Sequence, residues 1–306
     1  MLSAMSTYFT EDAIPITNEQ LPFCIDTPLY VKRSDRYVLY KSANTVPETD
    51  IGNVNLYVMK EDSEKVEEEI FSRRKSRIYD GLVSNDIRGV KDTFVNMVSD
   101  LFREPRVGNL NKLAESVDMV VENAYDEKTL AKFAMISDND YSTAVHSSDV
   151  MGFAMAYGIS QGYSNDKTKM IGLCGLMHDV GKTKVDPAIL CSPNGLTDEE
   201  FKEIKKHPGW GYEILDGVFD APVQQVALLH HERCDGSGYP SKIKQSGEIA
   251  KLISIIDVYD ALTNETRTYR EPLRPKEALK IIQKETLEGM FCKETFKSFV
   301  RMLGSI

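Results

Sequence analysis

The sequence predicts a mainly α protein with a small α/β region at its N-terminus, on three observations. Residues 14 to about 60 hold short β-branched and aromatic runs, "CIDTPLYVK" (24–32), "YVLYKS" (37–42) and "VNLYVM" (54–59), divided by polar or proline-bearing breaks. From about Glu64 the period becomes helical: "SEKVEEEIFSRRKSRIYDGLV" sets Val66, Ile70, Ile78 and Leu82 amid charges, and "VKDTFVNMVSDLF" (90–102) continues it. From Leu110 onward, helical patterns with short loops account for nearly all of the chain. A boundary is expected between residues 105 and 125, after "REPRVGN". It separates a small regulatory or sensory α/β domain of unknown ligand (1–120) from a helical domain (121–306).

Composition narrows the function classes. With 306 residues the chain forms one large domain or two ordinary ones. It is 42% hydrophobic and 27% charged, the balance of a globular protein. No apolar run approaches the roughly 18 residues that span a bilayer; "MGFAMAYGI" (151–159) is too short. The start, "MLSAMSTYFTEDAIP", lacks the basic region of a signal peptide, so a cytoplasmic protein without a membrane partner is expected. The net charge of −10 argues against binding a nucleic acid polymer, and a small anionic ligand would need a local cationic pocket. Five cysteines, with no C-x-x-C pair, give neither a disulfide framework nor a thiolate zinc site.

The chemistry gathers around the histidines. All five (His146, His178, His207, His230, His231) fall between residues 146 and 231. "MIGLCGLMHDVGK" (170–182) reads as an apolar helix ending in His178 and Asp179, with Gly181 as its stop. His146 lies in the apolar pattern "DYSTAVHSSDVMGFAMAYG". Thr197 and Glu200 match a capping box for a helix that His207 closes before Pro208. Each has an ordinary explanation alone: a hydrogen-bonded core pair, a satisfied core histidine, a cation at a helix C-terminus. Asp257 is harder to explain away. It follows Ile255 and Ile256 in "LISIIDVYDALT", with Asp260 one turn on, and one of the two carboxylates should face inward toward something cationic. His230 and His231, if helical, diverge by about 100° and so serve a wide pocket. Five imidazoles with Asp179 and Asp257 exceed the four ligands of a simple zinc site, but suit two ions sharing a bridging carboxylate. Ligation without sulfur suits iron, manganese or zinc better than magnesium or calcium.

Five blocks in order resemble the HD-GYP family, bacterial phosphodiesterases of the HD metal-dependent phosphohydrolase superfamily. They are "HS" at 146–147, "HDVGK" at 178–182, "PAIL…NGLTDEEFKEIKKHPGWGYEIL" across 187–215, "HHERCDGSGYP" at 230–240 and "IIDVYDALT" at 255–263. The resemblance covers about residues 130 to 285. It implies a helical-bundle HD-GYP domain hydrolysing cyclic di-GMP to pGpG and possibly GMP, through a hydroxide bridging two divalent ions, iron or alternatively manganese. By position, His146, His178, Asp179 and Asp257 are the HD metal quartet. His207, His230 and His231 add a second ion, with Asp179 bridging. Lys182 matches the lysine beside the scissile phosphate, and with Asp179 makes the catalytic pair. Gly238 and Tyr239 belong to the loop that admits substrate, Arg267 and Arg270 to its phosphate-binding stretch. Glu232 and Asp235 are placed behind the ligands, orienting them. The partners implied are cyclic di-GMP, other signalling proteins such as diguanylate cyclase domains, and a second copy of the chain.

Three departures stand out. Ser142 occupies a position where some members carry a glutamate for a third metal, which favours two ions. The segment from Asp257 to Arg267 is one residue longer than usual, and Cys234 replaces a commonly large side chain. The alternatives are a module that binds cyclic di-GMP without turning it over and a hydrolase of another cyclic dinucleotide.

Overall fold

A computed structural model describes residues 8–9, 13–34, 36–48, 52, 54–103, 105, 107–123, 126–136, 142–190, 195–264 and 272–305. The chain divides into two compact units, residues 1–78 and 79–306.

The first unit is an antiparallel sheet with a helix. Strands β1 (Tyr8–Phe9), β2 (Ala13–Ile16), β3 (Leu29–Arg33), β4 (Arg36–Lys41) and β5 (Leu56–Met59) lie in the order β1-β4-β3-β5-β2. Val31 pairs with Val38 across β3–β4, and Tyr30 pairs with Tyr57 across β3–β5. One face of the sheet buries Leu29, Leu56 and Val58 with Leu21 and Cys24, and Val66 and Ile70 of α1 (Ser63–Ser84) complete this core. The run expected as a strand over 24–32 is extended only from Leu29. Residues 25–27 form a bend whose backbone is taken up by the Glu69 carboxylate, which accepts from Ile25 N, Asp26 N and Thr27 Oγ1.

The second unit is helical, which together with the small sheet bears out the expected mainly α class. Its helices are α2 (Ile87–Arg103), α3 (Val107–Asn123), α4 (Glu127–Met135), α5 (Thr143–Ser160), α6 (Asn165–Met177), α7 (Pro187–Leu190), α8 (Asp198–Ile204), α9 (His207–Leu215), α10 (Ala221–Leu229), α11 (Glu248–Thr263), α12 (Pro275–Leu287) and α13 (Lys293–Ser305). The unit therefore takes in α2 and α3, which pack on α5 and α6 and lie largely before residue 120. Helix α5 is its axis. Every residue from Ala144 to Gly158 is buried, as befits a helix apolar on all sides, and Ser142 caps it by accepting from Val145 N. Two features seat α5 against its neighbours. Gly175 of α6 crosses so closely that a Cβ there would lie 3.0 Å from the Met151 backbone. Phe153, Tyr259 and Phe299 meet edge to face, joining α5, α11 and α13 with centroids 5.4–6.3 Å apart. Among the described residues no helix is long and apolar enough to cross a membrane.

Candidate metal centre

Four helix ends and one helix interior deliver the ligands. His146 sits in the first turn of α5, and His178 caps the C-terminus of α6 with Asp179 next in line. His207 does not close a helix, as its sequence setting predicts; it opens α9, because Pro208 suits a helix's first turn. Gly181 likewise is no simple stop. It lies in a 3₁₀ turn (Val180–Lys184) pressed on α9, where a Cβ would meet His207 O at 2.0 Å. His230 caps α10, whose last carbonyls are satisfied by Gln245 Nε2 on Leu229 O at 2.7 Å and by Ser254 Oγ on His230 O. His230 keeps helical backbone angles, yet the rings of His230 and His231 come together. Their ring centroids are 4.1 Å apart.

The side chains converge as two groups that share Asp179: His146, His178 and Asp179, and Asp179, His207, His230 and His231. Asp179 Oδ2 lies 3.4 Å from His178 Nε2 and 3.6 Å from His146 Nε2. Its Oδ1 lies 3.2 Å from His207 Nε2 and 3.7 Å from His230 Nε2. Asp257 stands beside both groups, with Oδ1 3.1 Å from His146 Nε2 and Oδ2 3.8 Å from His231 Nδ1. Asp260, which the sequence reading set against Asp257 as alternatives, is also buried. Its Oδ2 lies 2.6 Å from His146 Nδ1.

This arrangement fits a metal centre on its own chemistry. The Nδ1 atoms of His178, His207 and His230 face the carbonyls of Gly175, Ile204 and Ala227 at 2.6, 2.7 and 2.9 Å. A carbonyl only accepts, so Nδ1 carries the hydrogen and Nε2 of a neutral ring is bare. Yet His178 Nε2 lies 3.2 Å from His146 Nε2, and His207 Nε2 lies 3.2 Å from His230 Nε2. Two bare nitrogens at that distance repel, so each contact calls for a cation: a proton without metal, a metal ion with it. Asp179 Oδ1 adds a second sign, since it is buried and, among the described residues, accepts no well-formed hydrogen bond. The residues present therefore suit divalent metal binding.

Electrostatics prepare the ligands for this. Burial pushes the Asp179 carboxyl upward, but the Lys182 ammonium, with Nζ 2.5 Å from Oδ2, and the His178 ring outweigh it and hold it well below the usual range. Burial opposes ionisation of Asp257 too, and its hydrogen bond with His146 reverses the effect. Burial and neighbouring imidazoles drive His230 and His231 well below an ordinary histidine, so both present neutral rings. His146 is the opposite case. Burial lowers it, but Asp257 and Asp260 raise it to about 9.

The "HERCDGSGYP" loop closes one side. Glu232 is fully buried and accepts from Ser241 N at 2.6 Å and Ile243 N at 3.2 Å, folding the loop back on itself. Gly238 is dictated by that fold, because a Cβ there would lie 2.3 Å from His231 O and 2.5 Å from Glu232 Cα. Tyr239 stacks on His231 with centroids 4.5 Å apart. Asp235 is exposed and ties the turn through Ser237 N and Oγ. Arg267 and Arg270 lie outside the described residues. Asp260 is the site residue the sequence reading left unassigned; its signal was the D-x-x-D spacing, which puts both carboxylates on one face of α11.

The chain is similar to proteins already known. The HD domain family model matches residues 132–291, just over half of the chain and all seven expected ligands. The chain is 32% identical over 215 residues to a cyclic di-GMP phosphodiesterase of Pseudomonas aeruginosa, covering 68% of this chain and 51% of that protein. It is 29% identical over 248 residues to a 3′3′-cGAMP-specific phosphodiesterase of Vibrio cholerae, covering 73% and 47%. The chain thus spans about half the length of these curated relatives. Among solved structures it is similar in fold to an HDG"Y"P protein of Bdellovibrio bacteriovorus, with TM-score 0.68 and 21% identity, covering 96% of this chain and 100% of that one.

Proposed function

From a chain that belongs to the HD domain family, in its HD-GYP branch, we propose a two-metal phosphodiesterase that opens cyclic di-GMP to pGpG. The observation that supports it most directly is Asp179, whose two carboxylate oxygens each face a separate group of imidazoles. On this reading His146, His178, Asp179 and Asp257 hold one divalent ion. His207, His230 and His231 hold a second with Asp179 shared, the ions being iron, with manganese as the alternative. Such ions supply Lewis acidity at a phosphoryl oxygen and lower the pKa of a bound water from 15.7 to about 7.

The remaining groups act on the substrate. Lys182 is paired with Asp179 but still partly exposed, with 22% of its side chain accessible, so it can turn its ammonium to the charge that develops on the phosphate. Tyr239, stacked on His231, offers a flat wall beside the metals. Arg267 and Arg270 are assigned to clamp phosphate or stack on guanine. Glu232 and Gly238 serve this site through the loop they shape. In this reading the catalytic domain is residues 121–306 and the region before it is regulatory. A cytoplasmic location accords with four free cysteines among the described residues.

The relatives favour one specific second reading, because those named for cGAMP match about as well as those named for cyclic di-GMP. The test is metal content of protein purified without chelator, together with turnover of cyclic di-GMP and of 3′3′-cGAMP by the same sample. About two ions per chain with pGpG formed is the expected result. Turnover of cGAMP alone would shift the base preference. Bound metal without hydrolysis of either substrate would leave a cyclic dinucleotide receptor.

A further inference from the structure

Three of the five metal-facing histidines are anchored alike, and His146 is anchored differently. His178, His207 and His230 each turn Nδ1 onto the carbonyl three residues earlier, that of Gly175, Ile204 and Ala227. His178 and His230 cap helix C-termini, and His207, though it opens α9, follows three residues after the end of α8, so each has a carbonyl without a helical partner as its acceptor. His146 stands in the first turn of α5, where the free backbone groups are N–H donors. It must take its acceptor from elsewhere, and it finds the carboxylate of Asp260 on α11, 2.6 Å from Nδ1 and 114 residues away. A carboxylate behind a metal-bound imidazole fixes the ring and raises its basicity more than a neutral carbonyl does.

The asymmetry extends to the charges. Three carboxylates gather about His146: Asp260 on Nδ1, and Asp257 and Asp179 within 3.1 and 3.6 Å of Nε2. Among the described residues, His207 and His230 meet the Asp179 Oδ1 carboxylate oxygen alone, and His231 meets Asp257 at 3.8 Å. Resting on the two-metal reading above, we propose that the two ion positions are unequal. The His146–His178 position fills first and holds its ion more tightly. The His207–His230–His231 position fills second and is the one that free metal concentration controls. Asp260 is the positioning residue that sets this order; it acts through the His146 ring. Loss of a partner behind a metal-bound histidine costs about 10–100-fold in affinity.

The experiment is a titration of the full chain, stripped with chelator and refilled with Co²⁺, read by calorimetry and by the visible absorption of bound cobalt. The native protein should fill in two steps, the first at least about 10-fold tighter. Asp260→Asn, which keeps the shape but not the charge, should weaken the first step about 10–100-fold and leave the second unchanged. His230→Ala should abolish the second step alone. Asp260→Glu restores a carboxylate and should recover part of the loss, and it serves in place of Asn if that variant does not fold. A single class of two equal sites would overturn the proposal, as would an Asp260→Asn variant with an unchanged first step. So would equal losses in Asn and Glu. Two bound ions with no hydrolysis would sink the phosphodiesterase reading and leave this one standing, whereas a chain that binds no cobalt defeats both.

Discussion

Buried charge serves two purposes in this protein, and the sheet unit and the metal centre show how to tell them apart. In the first unit, Lys41 is buried and all three of its ammonium donors are used, on the carbonyls of Ile25, Thr27 and Ser42 at 2.8, 2.9 and 3.2 Å. Glu69 answers it on the same bend, accepting from two backbone N–H groups, the Thr27 hydroxyl and Arg73 Nε. Lys41 and Glu69 thus meet their partners within the protein, which is what makes a buried charge tolerable. At the metal centre the burial is as deep but the books do not balance. Imidazole nitrogens face one another at 3.2 Å, and among the described residues Asp179 Oδ1 accepts no well-formed hydrogen bond. The difference teaches that satisfaction, more than burial, separates a structural charge from a ligand.

The sharpest way to break that contrast is to remove the shared carboxylate. Asp179→Ala should lose both ions, by metal analysis, and at least about 10³-fold in hydrolysis, since the acidified water depends on them. Retention of one tightly held ion would show that Asp179 does not join the two groups. Lys182→Ala comes next. Its ammonium is assigned to the phosphate, so turnover should fall about 10²-fold with metal content unchanged. A variant that instead loses metal would make Lys182 a structural partner of Asp179, like Lys41 in the sheet unit.

The same comparison explains what could be read in advance. The candidate ligands were legible because a carboxylate among isoleucines, as at Asp257, has no place in an ordinary core, whereas His178–Asp179 alone passes for a hydrogen-bonded core pair. Helix α1 and three of the strands were visible in the periodicities, and the family resemblance ordered the ligands. What stayed hidden was relational. Glu69 lies 42 to 44 residues from the bend it satisfies, so nothing local shows why residues 25–27 leave the strand pattern. Asp260 reaches a ring 114 residues away. Gly181 and Gly238 looked like turn residues, but each is required by a backbone arriving from elsewhere in the chain or doubling back on it. The close approach of the His230 and His231 rings, 4.1 Å between centroids, was not visible in their adjacency.

The sheet unit supplies a control of intermediate size. Glu69→Ala would leave Ile25 N, Asp26 N and the Thr27 hydroxyl without their acceptor. The cost should be about 3 kcal/mol in urea unfolding of the first unit, with the metal stoichiometry unchanged. An unchanged unfolding midpoint would mean that water satisfies these donors as well as the carboxylate does, and the contrast drawn above would lose one of its sides.

The smallest effect is a pH dependence that exists only without metal. Burial disfavours the charged His146 ring, but Asp257 and Asp260 raise it to about 9, against about 6.5 for an unfolded histidine. A raised pKa means the stripped, folded protein binds this proton more tightly than the unfolded chain does. The stabilisation is fully present below pH 6.5 and is lost as pH rises through 9. Neighbouring shifts fall outside this window: His230 and His231 are depressed and act only as pH drops below 6.5, and Asp179 and Asp257, also depressed, act lower still. Denaturation midpoints of the chelated protein should therefore fall between pH 6.5 and 9. In the metal-loaded protein the Nε2 lone pair is committed to the ion, so the fall should be absent there. Identical profiles with and without metal would mean that no ion takes the place of the proton on His146.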